Sequence, residues 1–475
     1  MLTRALQMGL FIICTQAFSL NAYSQVDKWF EDFKSKATDE QLYKFLYAMP
    51  KGGDLHNHLS GAGFPRWWYE LAIAQESRGF TYYTKTQILN CRPYGSNEFG
   101  GAPYLLLFVN LQQSNYDKLS SCEKKEYTKL KDLNPEQKQG WLNSLKLDKS
   151  YEGRDEFFQT HWQRLNDLFV NHHIQAEILV RNMVAFGNEG LSYLEIDMSP
   201  TGVRPDGSFL KAEEVLAYYK QRLKKKDAID SGVEVRFHWA LLRFTPDAEK
   251  NLVEAYKFLD QNRDMYVALD LVGREDNDKG YPLRFLPTLR KLRHSYPDIE
   301  LSMHAGEVDE PNQHIRDTLL LGANRVGHGV NLLSDPDTFL LMRHGPYLVE
   351  VNLVSNLLLE YVSDYSQHSF PEFLRLEVPV ALSTDDRGMF DSNITDEFFV
   401  AVKEFNLSWA EVKKLSRNSL QYGYMDEKTK TRLLKRYAKR IQKFEQGFKN
   451  KEMKSLQGVK PVKHGFICSK YGLCG

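Results

Sequence analysis

The stretch Leu301-Ser302-Met303-His304-Ala305-Gly306-Glu307 decides how the rest of this chain is read. It is a short apolar, β-prone run that ends in an imidazole and, one turn later, a carboxylate. Comparable runs recur along the chain at Asp54–Leu59, Tyr193–Ser199, Val233–Leu242, Val267–Gly273, Arg325–Gly329, Tyr347–Leu353 and Pro379–Asp386. Most are separated by enough chain for a helix, with helical patterns at 161–186, 212–226, 247–262, 283–295 and 335–344. Eight such runs alternating with helices predict repeated βα units. Several are almost continuously apolar, as strands covered on both faces must be. The expected fold class is α/β, a (β/α)8 TIM barrel with N-terminal helices and an insertion after strand 1.

The 475 residues contain 62 Lys+Arg and 62 Asp+Glu, so the net charge is zero. This excludes the basic excess of a nucleic-acid-binding surface. The basic runs at Lys224-Lys225-Lys226 and Lys435 to Arg440 read as solvated helix faces. Arg4, an apolar stretch from Met8 to Leu20 and the small residues Ala22 and Ser24 describe a secretory signal peptide over residues 1–24. The run is too short and too polar for a good transmembrane helix. The expectation is export, to a periplasm or outside the cell, without stable membrane insertion. Two short helices are expected over 27–36 and 39–47 within a helical segment, 25–50. Thr38 and Gln41 would form a capping box for the second.

Residues 51–445 form the expected barrel domain. About 81–151 is rich in Tyr, Asn, Lys and Gly and reads as an insertion, either over the barrel mouth or as a surface excursion. A tail, 446–475, is basic and polar and is expected to pack loosely. Beyond the signal, four cysteines remain: Cys91, Cys122, Cys468 and Cys474. Two disulfides are compatible with export; the simplest pairing is Cys91 with Cys122 and Cys468 with Cys474, although three pairings are allowed.

In such barrels the reactive groups stand at the C-terminal ends of strands. Those ends carry His56-Asn57-His58, then His304 with Glu307, then His328 between Gly327 and Gly329, and finally Asp385-Asp386. Residues two apart on a strand point to one side, so His56 and His58 can reach one ion. Three imidazoles and a carboxylate suit zinc. Taken singly, His304 could be a core histidine, His328 a packing residue, and Asp385-Asp386 a helix cap. Taken together, so many buried ionisable groups at the ends of one barrel's strands would each cost several kcal/mol without a shared role.

Met49-Pro-Lys-Gly-Gly-Asp-Leu-His-Asn-His-Leu-Ser-Gly-Ala62, His304-Ala-Gly-Glu307, Gly327-His-Gly329, Ser355-Asn356 and Ser383-Thr-Asp-Asp386 together resemble the motifs of the adenosine deaminase family, in the family's order. An exported member with an insertion after strand 1 is similar to the adenosine-deaminase-related growth factors and their bacterial relatives. The resemblance implies one Zn2+ per chain, bound by His56, His58, His304 and Asp385. It implies that His328 accepts a proton from the attacking water and orients it, and that protonated Glu307 donates to purine N1. Asp386 would bond N7, and the Gly273 amide would meet N3. Ser60 replaces an aspartate that contacts the ribose 5′-hydroxyl in many members. Arg387 replaces a proline after the aspartate pair, and Val351 to Val354 holds no Cys-Pro pair. The implied reaction is deamination of adenosine or 2′-deoxyadenosine to inosine and ammonia, with a small-molecule nucleoside as partner. Another aminopurine (adenine, a modified adenosine or AMP) and a secreted binding or signalling module on the same scaffold stay open. So does the oligomeric state, a homodimer included. The His-x-Glu and Pro-Cys-x-x-Cys pattern of cytidine-deaminase-like enzymes is absent.

Overall fold

The computed structural model describes residues 28–91, 109–276, 279–310 and 312–474. The expected signal segment, 1–24, lies outside the described residues. Eight strands follow one another around a single sheet: β1 (Gly53–Asp54), β2 (Tyr193–Asp197), β3 (Glu234–Leu242), β4 (Tyr266–Val272), β5 (Glu300–Ala305), β6 (Arg325–His328), β7 (Leu348–Val351) and β8 (Val380–Leu382). Every neighbouring pair is parallel. Parallel neighbours need crossover connections, and helices such as His172–Asn188, Ala212–Leu223 and Ala248–Gln261 supply them. The sheet closes where Asn57 bridges Asp385, the Asp385 N–H donating to the His56 carbonyl at 2.9 Å. The fold is the expected (β/α)8 barrel.

The closing seam departs from the expected strands. β1 and β8 stop at Asp54 and Leu382, short of the expected Leu59 and Asp386, because side chains replace the backbone ladder there. Leu55 N–H donates to Ser383 Oγ at 3.1 Å, and Thr384 donates its N–H and its hydroxyl to Asp54 Oδ2 at 3.1 and 2.6 Å. The backbone also bends: His328 holds φ +67° and Asp385 φ +52°. Non-glycine residues in this region store strain, which concentrates at functional sites.

Before the barrel, Thr38 caps the helix Asp39–Ala48 in a full capping box with Gln41, as its sequence predicts. After β1, a three-stranded antiparallel sheet joins Asn110–Gln112, Tyr82–Lys85 and Tyr127–Lys129. Cys91 is bonded to Cys122, and Cys468 to Cys474. The helix expected over 161–186 is broken. A π-helical turn at Phe157–His161, a short turn at Trp162–Leu165 and a left-handed Asn166 (φ +35°) precede a regular helix that starts only at His172. The tail is not loose. The helix Glu427–Lys451 runs into it, and Gly465–Tyr471 docks with Ile467 fully buried and Phe466 N–H on the Asp391 carbonyl at 2.9 Å. Among the described residues, no helix is long and apolar enough to cross a membrane.

Candidate active site

The strand ends deliver their ionisable side chains to one place. Ligand atoms of His56, His58, His304 and Asp385 all lie within 4.8 Å of one another. Each of the three rings is oriented through Nδ1 by a buried carboxylate: Glu350 Oε2 at 2.9 Å for His56, Asp197 Oδ2 at 2.8 Å for His58, and Asp270 Oδ1 at 3.0 Å for His304. The supporting carboxylates are fixed in turn. Glu350 accepts from Ser302 Oγ at 2.9 Å and from Arg325 Nε. A ring that gives its Nδ1 hydrogen to a carboxylate presents a lone pair at Nε2, the arrangement typical of a metal-ligating histidine.

The three Nε2 atoms converge on Asp385. His58 Nε2 lies 3.2 Å from His304 Nε2 and 3.2 Å from Asp385 Oδ1; His56 Nε2 is buried without a partner, 3.7 Å from the same oxygen. Three ring nitrogens and a carboxylate gathered this closely form a cluster that could hold a metal ion. The donor set fits a divalent ion of the zinc type. Electrostatics agree. Burial opposes charge on His56, yet the Glu350 hydrogen bond and the Asp385 charge lift its pKa to about 9, so the site favours positive charge at this point.

The two glycines around His328 serve the protein rather than a ligand. A Cβ on Gly327 would sit 2.6 Å from His56 Cε1, and one on Gly329 would sit 2.7 Å from Val349 Cγ1. His328 and Glu307 complete the cluster, with His328 Nε2 3.6 Å from Glu307 Oε1 and 3.9 Å from Asp385 Oδ2. Glu275 pins the turn before Glu307 by accepting from the N–H groups of Gly306 (3.2 Å) and Glu307 (2.9 Å). Burial, then the charges of Asp385 and Glu275, hold the Glu307 carboxyl well above the ordinary range, which favours its proton-carrying form. Burial and Asp385 push Asp386 upward in the same way, and its Oδ1 is buried without a partner.

A cavity of about 700 Å³ opens on this cluster. His58, Ser60, Gly273, His304, Glu307, Asp385 and Asp386 line it, while His56 and His328 lie beneath. Its outer wall is apolar, built from Phe157, Phe158, Trp162, Val170, Leu242 and Val272. That roof is the irregular segment 157–170, and no described residue of 81–151 lines the cavity. The antiparallel sheet instead braces the roof from behind: Gln112 N–H and Asn115 Nδ2 both donate to Asp167 Oδ2, at 2.7 and 2.8 Å. All nine residues expected from the sequence meet in this one region.

Sequence reasoning missed the carboxylates behind the ligands. Asp197, Asp270 and Glu350 were visible only as charges inside otherwise apolar strands, and nothing marked His368 or Glu275.

The family model for adenosine deaminase matches residues 120–440. An adenosine deaminase of Aedes albopictus is 30% identical over 262 residues, covering 52% of this chain and 48% of that protein. The N6-methyl-AMP deaminase-L of Xenopus laevis is 31% identical over 258 residues, covering 53% of this chain and 71% of that protein. A zinc-bound amidohydrolase structure from Burkholderia ambifaria superposes with a TM-score of 0.59 at 18% identity, covering 87% of this chain and 96% of the other. The barrel, the ligand cluster and these matches lead to one conclusion: the chain belongs to the adenosine deaminase family of metal-dependent hydrolytic deaminases.

Proposed function

We propose that this protein hydrolyses the 6-amino group of adenosine or 2′-deoxyadenosine, releasing inosine or 2′-deoxyinosine and ammonia. The observation that carries the reading is the meeting of four ligand atoms with the buried carboxyl of Glu307 at the floor of an apolar cavity. His56, His58, His304 and Asp385 would hold one zinc ion per chain. Zinc bound there supplies the Lewis acidity that makes water nucleophilic near neutral pH.

The chain's own groups do the rest. Glu307 delivers its proton to ring N1 as the water oxygen adds at C6. Asp386, pushed toward its neutral form by burial and by Asp385, donates from its unpartnered carboxyl to N7. Gly273, at φ +100° on the cavity wall, brings its backbone close to N3. Ser60 faces the sugar, and the aromatic roof covers the base and keeps water out. As the adduct collapses, one hydrogen brought by the water passes to the amine, which leaves as ammonia, the other restores the Glu307 carboxyl, and the 6-oxopurine remains.

One observation favours a nucleoside over a nucleotide. Arg274, the arginine on the cavity wall, is already paired with Asp155 and Asp276, so it offers a phosphate little free charge. The two disulfides support export into an oxidising compartment.

The test is a deamination assay on purified protein with adenosine, adenine, AMP and N6-methyl-AMP, with and without chelator. Chelator-sensitive turnover of adenosine at the highest kcat/KM supports the reading. A higher kcat/KM on AMP or N6-methyl-AMP would overturn the nucleoside assignment.

A further inference from the structure

The ring nitrogen of His328 that faces the cluster is buried without a partner, and the other is not. His328 Nδ1 lies 2.9 Å from Asn356 Nδ2 and 3.5 Å from Asn352 Nδ2. Taken alone, this contact does not fix a hydrogen, because a side-chain amide can present either end. The contacts beyond it do. Asn356 Oδ1 lies 3.1 Å from His368 Nε2, and His368 Nδ1 lies 3.0 Å from the backbone nitrogen of Phe370.

A backbone N–H only donates. Phe370 opens the helix Phe370–Arg375, where its N–H has no partner within the helix and needs an acceptor. His368 Nδ1 must therefore carry the lone pair. Burial pushes the His368 pKa down to about 4, so the ring is neutral and its one hydrogen is on Nε2. That hydrogen is donated to Asn356, which fixes the amide with its oxygen toward His368 and its NH2 toward His328. His328 Nδ1 accepts, and the remaining hydrogen of the neutral ring is on Nε2.

We infer that His368 and Asn356 are positioning residues that hold His328 as the Nε2–H tautomer, so that His328 donates a hydrogen bond to the attacking oxygen and does not accept its proton. This rests on the deaminase reading and changes one role within it: the proton acceptance expected of His328 is replaced by donation, and the water's hydrogens go to the departing amine and back to Glu307, whose Oε1 is 3.6 Å from His328 Nε2. The direction of every hydrogen is inherited from one main-chain N–H on the outer helix. All three side chains are at most 3% exposed, so water does not compete with the relay. His328 Nε2–H points between Glu307 Oε1 and Asp385 Oδ2, where an oxygen nucleophile would stand.

The first test does not depend on turnover. In zinc-loaded protein labelled with 15N-histidine, the His328 resonance is assigned by its loss in His328→Gln, or in His328→Asn should the first variant not fold. A neutral ring with hydrogen on Nε2 is expected; hydrogen on Nδ1, or an imidazolium, at neutral pH overturns the inference. The second test is Asn356→Asp, a carboxylate of the same shape that accepts from both rings. It should move the His328 hydrogen to Nδ1 and lower kcat on adenosine about 10- to 100-fold, with KM changed less than about threefold. An unchanged tautomer with unchanged kcat overturns the relay. If the protein does not deaminate purines at all, the tautomer measurement still stands or falls on its own.

Discussion

His58 Nε2 and His304 Nε2 stand 3.2 Å apart, and each ring's other nitrogen is committed to its own aspartate. Two ring nitrogens at this distance are held together by a shared proton or by a metal cation, and an ion bound there would couple metal binding to folding. Asp385→Ala removes the fourth donor and should reduce zinc from about one equivalent per chain to a small fraction, read by elemental analysis after gel filtration. A full equivalent in that variant would remove Asp385 from the ligand set. For the wild type, zinc in roughly thousandfold excess over its Kd should stabilise the fold by about 4 kcal/mol, read as a chelator-dependent shift in Tm.

Burial and two neighbouring carboxylates make charge on Glu307 costly and push its pKa upward, toward the form that can give a proton. Glu307→Gln keeps the shape and loses the transferable proton. It should retain zinc and lower kcat about 100- to 10,000-fold, with a smaller change in KM. Turnover within a fewfold of wild type would exclude Glu307 as the proton donor.

Gly327 lies against the first ligand. Its missing side chain leaves room for the His56 ring, whose Nδ1 would be 2.9 Å from an added Cβ. Gly327→Ala should push His56 off Glu350, weaken zinc binding about 10- to 100-fold and cost about 1 to 3 kcal/mol of stability. Competition with a chromophoric chelator reads the first effect and denaturant unfolding the second. Unaltered zinc affinity would mean that the ring can shift freely.

His368 also sets a pH dependence. Its folded pKa of about 4 lies below the ordinary histidine value of about 6.5, so the unfolded chain takes up the proton first as pH falls. The stability it contributes is complete above about pH 6.5 and is lost as pH falls from there toward 4, a total of about 3 kcal/mol. Unfolding in urea between pH 7 and 4.5 should show this loss in wild type and a shallower one in His368→Gln. Parallel slopes in the two proteins would contradict a buried neutral ring.

Much of this was legible in the sequence because barrel strands are apolar and their ends are not. The eight strands were readable from that contrast, as was the gathering of His56, His58, His304, Glu307, His328, Asp385 and Asp386 at their ends, whereas Ser60 and Gly273 were singled out only through the resemblance. The errors share a cause. Asp54–Leu59 and Pro379–Asp386 read as whole strands because β propensity does not reveal where side chains such as Ser383 and Thr384 take over the ladder. The segment 157–170 has a helical apolar pattern, yet its aromatic residues face the cavity as its roof, and that demand breaks the helix at Asn166. The tail looked loose because its buried anchors, Phe448, Leu456, Phe466 and Ile467, are too widely spaced to leave a periodic signal. His368 was invisible: its role depends on a helix start two residues later and an asparagine twelve residues earlier.

The seam between β8 and β1 has a further consequence. Thr384 and Asp54 are 330 positions apart, and the residue after Thr384 is the fourth ligand. A chain still being synthesised can hold three histidine donors while its sheet remains open, with an unpaired edge exposed to other chains. The last donor arrives with the residues that close the edge. Completion of the catalytic centre and removal of the sticky edge are thus one event in the life of each molecule, and any product cut short of Asp385 would be both inactive and prone to aggregate.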